Sequence, residues 1–309
     1  MKNKQVLVFG SGAIGSLFGW KLQEAGLDVS IVARSDYKET LKNGISIDSI
    51  WGNVTFRPKN VFNVTDTINF SPDYIIVATK ALPKLEIEKQ IKPYLSAHTS
   101  IVLLQNGIQI EEKFKATYPN HSIISGLAFV CVTKTNSAYV KHIDYGRLVL
   151  GNYPKGIYAD TKFLVESFKL VNVPCNASDQ IQVDRWKKLI WNAPFNPISV
   201  VSGGLSTLEI LETPNLYNQT KAIMKEVQLL AKSCGVNIED AVIEKNIEDT
   251  KKMVPYKTSM LIDFEHNRPL EIDAILGNAI EIGKKNQVPT PNISDLYKNL
   301  KKLIEQATK

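Results

Sequence analysis

One stretch near the N-terminus constrains the fold more than any other: "QVLVFGSGAIGSLFGWKLQEAGLDVSIVAR", residues 5–34. An apolar run leads into glycines, then an amphipathic stretch, then a second apolar run. That order reads as strand, tight turn, helix, strand, one βαβ unit. Gly10, Gly12 and Gly15 form GxGxxG at the end of the strand and the start of the helix. Glycine permits the turn and a close backbone approach to a pyrophosphate, and the helix N-terminus supplies free N–H groups with a partial positive charge. The context predicts a dinucleotide site contacted by Gly10, Ser11, Gly12, Ala13, Ile14 and Gly15. The competing reading is a glycine turn needed only for packing.

"PDYIIVATK" (72–80) and "SIVLLQNGI" (100–108) read as further buried strands with polar ends, and "LPKLEIEKQIKPYL" between them as helical. "HSIISGLAFVCVTKT" and "AYVKHIDYGRLVLGN" extend the sheet as a hairpin. Alternating strands and helices imply a mostly parallel, doubly wound sheet of Rossmann type. From about residue 181 the periodicity is helical, with Gly235 as a C-cap after "NLYNQTKAIMKEVQLLAKSC". The predicted architecture is α/β: a dinucleotide-binding domain over residues 1–174, then an all-helical substrate and catalytic domain over 175–309.

The second strand ends in Arg34, where a site for NAD usually carries an acid for the ribose 2′-hydroxyl, about 20 residues past the turn. An arginine suits the 2′-phosphate of NADP, and Ser35 can add a hydroxyl. Asp36 competes, since it can serve the ribose of NAD. Lys80 and Asn106 follow two later strands, at the sheet edge where ligands bind in open α/β folds. Each alone is equally a turn residue.

Composition excludes several classes. Lys+Arg 37 against Asp+Glu 31 gives +6 with acids and bases interleaved, so no basic stripe points to nucleic acid, while the balance suits a small anionic substrate. Three dispersed cysteines (Cys131, Cys175, Cys234) and four scattered histidines argue against a disulfide framework and against a metal site, and read as reduced thiols in a cytoplasmic protein. The N-terminal apolar run is too short for a signal peptide, and no stretch of about 18 apolar residues predicts a membrane span.

"RWKKLIWNAPFNP" (185–197) looks helical but carries Pro194 and Pro197. A proline lacks the N–H and crowds the carbonyl four residues back, so a kink or break is expected. Lys188, Asn192 and Asn196 recur at intervals of four, which stacks them on one face. In one reading the asparagines repair the kink and Lys188 is solvated. In the other the face lines a cleft, the ammonium donates a proton and the amides orient a polar substrate.

"GSGAIGSLFG", "ATK", "QNG", "RWKKLIWNAPFNP" and "SMLIDFEHNRPLEID" together resemble the ketopantoate reductase (2-dehydropantoate 2-reductase) family, in order along nearly the whole chain. The resemblance implies NADPH-dependent reduction of a 2-oxo acid to its 2-hydroxy acid on the way to pantothenate. By position, Lys188 rather than Lys187 matches the catalytic acid. Asn192 and Asn196 match substrate asparagines, Asn106 a residue touching cofactor and substrate, and Ser259 a serine at the substrate carboxylate. Glu271, Lys80, Arg34 and Val132 match positions near the cofactor. Some members carry a further substrate asparagine where this chain has Ser206, which leaves another 2-oxo acid as an alternative substrate. A non-catalytic dinucleotide sensor is the alternative from a different class. The expected assembly is a monomer or homodimer, without nucleic acid, membrane or metal.

Overall fold

Four short apolar segments explain the centre of the sheet. Gln5–Phe9 (β1), Asp28–Ala33 (β2), Tyr74–Val77 (β6) and Ser100–Leu103 (β7) are almost wholly buried, as strands covered on both faces must be. Val61–Asn63 (β5) closes one edge beside β2. Ile45–Ser49 (β3) and Val54–Phe56 (β4) form the other edge, and Ile123–Asn136 (β8) and Tyr139–Asn152 (β9) make a long hairpin. The strand order is β4-β3-β9-β8-β7-β6-β1-β2-β5, with Cys175–Ala177 (β10) paired to β9. Only β8–β9 and β3–β4 are antiparallel. The chain leaves β1 toward β2 on one side, and β6 and β7 lie on the other. This makes the C-terminal end of β1 the topological switch point, where such sheets bind ligands.

The computed structural model describes residues 4–253 and 257–307; the first three residues, the start of the basic N-terminal stretch, lie outside them. The chain divides into two units. The first holds the sheet with Ala13–Glu24 (α1), Tyr37–Asn43 (α2), Ile87–Gln90 (α3), Glu111–Thr117 (α4) and Ala159–Leu170 (α5). Its core joins Val6 and Val8 of β1 to Leu17 and Phe18 of α1 and Phe168 of α5. Its chain runs to Ile181, past the junction expected near residue 174, because β10 is hydrogen-bonded into the sheet.

The second unit spans 182–309 together with two short excursions, 81–83 and 106–109. Its helices are Ile181–Val201 (α6), Thr207–Glu212 (α7), Pro214–Ser233 (α8), Asp240–Lys252 (α9), Ser259–Glu265 (α10), Asn278–Asn286 (α11) and Pro291–Ala307 (α12). A π-helical turn, Asp273–Gly277, precedes α11. Gly235, at φ +78°, follows α8 as expected of a helix stop. Trp186, Ile190, Phe195 and Ile198 of α6 lie in the core with Ile223, Leu230, Ile275 and Leu296.

Two local expectations fail. The helix read over 82–95 is a 3-10 turn (Pro83–Leu85), the single turn α3 and another 3-10 turn (Lys92–Tyr94). Pro83 and Pro93 punctuate it, and Glu86 sits in the left-handed region at φ +42°. Conversely, the proline-containing segment does not break: α6 runs as one helix of 21 residues through Pro194 and Pro197, which leaves a kink as the remaining form of that expectation.

Candidate active site

The glycine turn lies in the first unit. Gly10, at φ +115°, ends β1 and donates its N–H to Val32 O at 3.1 Å. A Cβ there would come within 2.9 Å of Thr79 Cγ2 and 3.1 Å of Thr79 N. A Cβ on Gly15 would stand 2.2 Å from Gly10 O, so only glycine lets α1 pack directly on the turn. Gly12 differs: its Cβ would meet only Ala78 O, at an ordinary 3.8 Å. No neighbour in this unit excludes a side chain at Gly12. The missing Cβ leaves open the approach to the N-terminus of α1, whose N-cap is Gly12 and which has no side-chain cap. Ser11, Ala13 and Ile14 are half-buried around it. This cradle fits a pyrophosphate.

At the end of β2, Arg34 and Ser35 are exposed. Asp36 is 3% exposed, and its carboxylate is already engaged. Lys134 of β8 pairs with it in a short contact, Ala138 N–H donates at 3.4 Å and Ser35 Oγ at 3.3 Å. Val132 and Lys134 lie between irregularities in the β8–β9 register that re-aim successive side chains. Lys80 follows β6, and next to it Thr79 O accepts from Gln105 Nε2 at 3.0 Å.

The second unit gathers the lysine and its partners. Lys188 is half-buried and donates to Asn106 Oδ1 at 2.9 Å, while Lys187 is exposed. Asn106 Nδ2 faces Glu271 Oε2 at 3.5 Å, and Glu271 Oε1 accepts from Ala81 N–H at 2.7 Å. An ammonium can only donate and a carboxylate can only accept, so this sequence fixes the Asn106 amide with its oxygen toward Lys188. The excursion carrying Asn106 is itself held. Arg185 Nη1 donates to Gly107 O at 3.0 Å, Ile108 N–H to Ala274 O at 3.0 Å and Asn278 Nδ2 to Ile108 O at 2.7 Å. Gly107 sits at φ +106°, and a Cβ there would stand 2.5 Å from Ala274 O.

Asn192 and Asn196 are buried on α6, at 7% and 3% exposure. Neither side-chain amide has a hydrogen-bond partner among the described residues, so neither repairs the proline-interrupted backbone. Both amides thus keep their donors and acceptors uncommitted within the second unit. Ser259 is exposed at the start of α10. Its neighbour Thr258 meets Ser199 Oγ at 2.6 Å, and Ser199 Oγ donates to Asn196 O at 2.8 Å, which ties α10 to the asparagine turn of α6. Ser206 instead caps α7: its Oγ accepts from Glu209 N–H at 3.3 Å, and Glu209 accepts from Ser206 N–H at 2.8 Å. The clamp residues Arg185 and Asn278 were not among the sequence candidates. Arg185, only 2% exposed, had a signal: it falls on the same helical stripe as Ile181, Leu189, Asn192 and Asn196.

Comparison with known proteins matches residues 6–155 to the model of ketopantoate reductase PanE/ApbA and residues 180–304 to the model of its C-terminal domain. A 2-dehydropantoate 2-reductase from Nostoc sp. is 34% identical over 97% of this chain and 95% of its own. The chain belongs to the ketopantoate reductase family. Among solved structures, the 2-dehydropantoate 2-reductase from Methylococcus capsulatus superposes with a TM-score of 0.92 at 40% identity, covering 99% of this chain and 98% of that one. A D-mandelate dehydrogenase solved with NADH and anilino(oxo)acetate shares the fold at TM-score 0.90 and 21% identity, over 99% of this chain and all of that one. Membership in the ketopantoate reductase family places the chain among oxidoreductases. No helix of the described residues is long and apolar enough to cross a membrane.

Proposed function

We propose that this chain reduces 2-dehydropantoate to pantoate with NADPH, a step toward pantothenate. The observation that carries the reading is the 2.9 Å contact of Lys188 Nζ with Asn106 Oδ1, backed by Glu271 on the other end of the amide. It supports a directed ammonium rather than a solvated surface charge. The Gly10–Gly15 cradle would hold the pyrophosphate, and Arg34 the 2′-phosphate. Val132 and Lys80 would lie near the same nucleotide, as the resemblance to the family implies. When bound, the cofactor supplies a hydride to the ketone carbon.

The chain's own task is the other half of the reduction. As the carbonyl carbon gains two electrons, negative charge collects on its oxygen. Lys188 stabilises that charge and then transfers a proton from Nζ to the oxygen, so the alcohol forms without a free alkoxide. Asn106 accepts one ammonium hydrogen and sets the direction of the head group. Glu271 holds Asn106 in the one flip that allows this. Asn192 and Asn196 are donors and acceptors for the substrate's polar groups, and the Ser259 hydroxyl serves its carboxylate.

NADPH oxidation followed with 2-dehydropantoate beside a panel of other 2-oxo acids tests the reading. Turnover fastest with 2-dehydropantoate is expected. A second substrate is favoured by one observation: Ser206, at the place of a further substrate asparagine, spends its oxygen on the α7 cap. A different 2-oxo acid leading the panel would select that reading. NADPH binding without turnover of any member would point to sensing instead.

A further inference from the structure

We infer that Lys134 sets cofactor selectivity by withdrawing the Asp36 carboxylate from the nucleotide. The inference rests on the proposed NADPH reading of Arg34. An acid at the end of β2 is the group that serves an NAD ribose and repels a 2′-phosphate. This chain retains such an acid two residues past Arg34, yet Asp36 is only 3% exposed and its carboxylate is bonded to Lys134, Ala138 and Ser35. Lys134 neutralises it from β8, and the Ala138 N–H and Ser35 Oγ donate further hydrogen bonds to its two oxygens. Arg34, exposed and two residues earlier, is then the unopposed charge at this edge. The hairpin irregularities after Cys131 and at Lys134–Asn136 are what bring a β8 lysine and the Ala138 backbone to a residue that precedes α2. Lys134 acts through Asp36 and is therefore a positioning residue rather than a phosphate ligand.

Calorimetric titration of NADPH and NADH into the full-length chain separates these roles. Lys134→Gln keeps an amide N–H for the carboxylate, so it is the variant expected to fold, with a thermal melt as control. It leaves the charge of Asp36 uncompensated. The ratio of NADH to NADPH dissociation constants should fall by about tenfold or more, the worth of one charge-assisted contact turned repulsive. Lys134→Arg should keep the wild-type ratio, and the double variant Lys134→Gln, Asp36→Asn should restore it. A Lys134→Gln ratio equal to wild type overturns the inference. A double variant as impaired as the single one does so too, since it makes Lys134 a direct phosphate contact. Wild-type protein that binds both cofactors equally would remove the NADPH reading itself, whereas a wild-type preference with an unresponsive Lys134 removes only this inference.

Discussion

Lys187 and Lys188 offer a test in which two neighbouring charges should behave differently. They lie about 100° apart around α6; Lys187 is exposed and Lys188 is half-buried against Asn106. With Lys188 as the proposed general acid, Lys188→Ala should slow turnover by about 10²–10⁴, or roughly 2.7–5.4 kcal/mol at about 1.36 kcal/mol per decade. Its stability cost should be small. Asn106 Oδ1 loses one donor in a half-buried position, roughly 1 kcal/mol, which shifts melting by about 1–2 °C in a chain of this size. Lys187→Ala should leave turnover within about twofold of wild type, as surface charges usually do. Asn106→Ala tests the geometry between them. If its amide acts on turnover by directing the ammonium, the Lys188→Ala, Asn106→Ala pair should be no slower than Lys188→Ala alone, a large non-additivity. Steady-state rates at saturating NADPH and 2-oxo acid, with melts on each variant, give the comparison. Wild-type turnover in Lys188→Ala, or equal losses in both lysine variants, refutes the proton-donor role.

The same geometry predicts four further outcomes. Asn192→Ala and Ser259→Ala, both in the second unit, should raise the 2-oxo acid KM while calorimetry finds NADPH affinity close to wild type; a collapse of cofactor binding would move them out of the substrate role. Asn278→Ala frees Ile108 O from its 2.7 Å donor and should lower kcat roughly tenfold or more with a modest change in KM, because Asn106 loses its support without leaving the site. His142 is buried, and burial holds its pKa below 6.5 while Nδ1 meets Ser49 Oγ at 2.8 Å. A base whose folded pKa is depressed costs stability as pH falls through the unfolded value, so melting temperature should drop from about pH 7.5 to about pH 5.5, and His142→Gln should flatten that slope. Among the thiols, Cys234 is exposed whereas Cys131 and Cys175 are buried and burial pushes Cys175 up to about 12. A disulfide reagent should therefore titrate one fast thiol in the folded chain and three in denaturant.

The legibility of this chain follows the range of the interactions that shape it. The β1–α1–β2 unit is written in adjacent residues: buried runs, three glycines and a helix that packs on Gly10 O. The hairpin β8–β9 and the helices from α6 onward carry their own periodicity too. Short strands do not, and β3, β5 and β10 owe their existence to partners well separated along the chain, as Ile47 does to Val140. The clamp on Asn106 is harder still. Asn278 reads as a helix residue, and only the fold brings it to a carbonyl at residue 108. For Asp36 the sequence left two uses open. The ion pair with Lys134, 98 residues away, bears on that choice on grounds that no local pattern contains, and the proposed selectivity rests on it.

Helix α6 carries the same lesson in energies. Two prolines inside a helix cost about 3 kcal/mol each by local rules, and a break at Pro194 is what those rules predict. The structure keeps the helix because its residues are needed in the core: Leu189, Ile190, Phe195 and Ile198 are each at most 2% exposed. Burying a side chain of that kind contributes about 1.5–3 kcal/mol, so these four alone offset roughly 6–12 kcal/mol against a local penalty near 6. The packing wins, and it carries Asn192 and Asn196 into the interior with it. Those two side-chain amides have no hydrogen-bond partner among the described residues. A helix that overrides local rules twice keeps Lys188, Asn192 and Asn196 on one continuous face, and such departures from local consistency are expected to fall at functional positions, as the proposed substrate role of these residues requires.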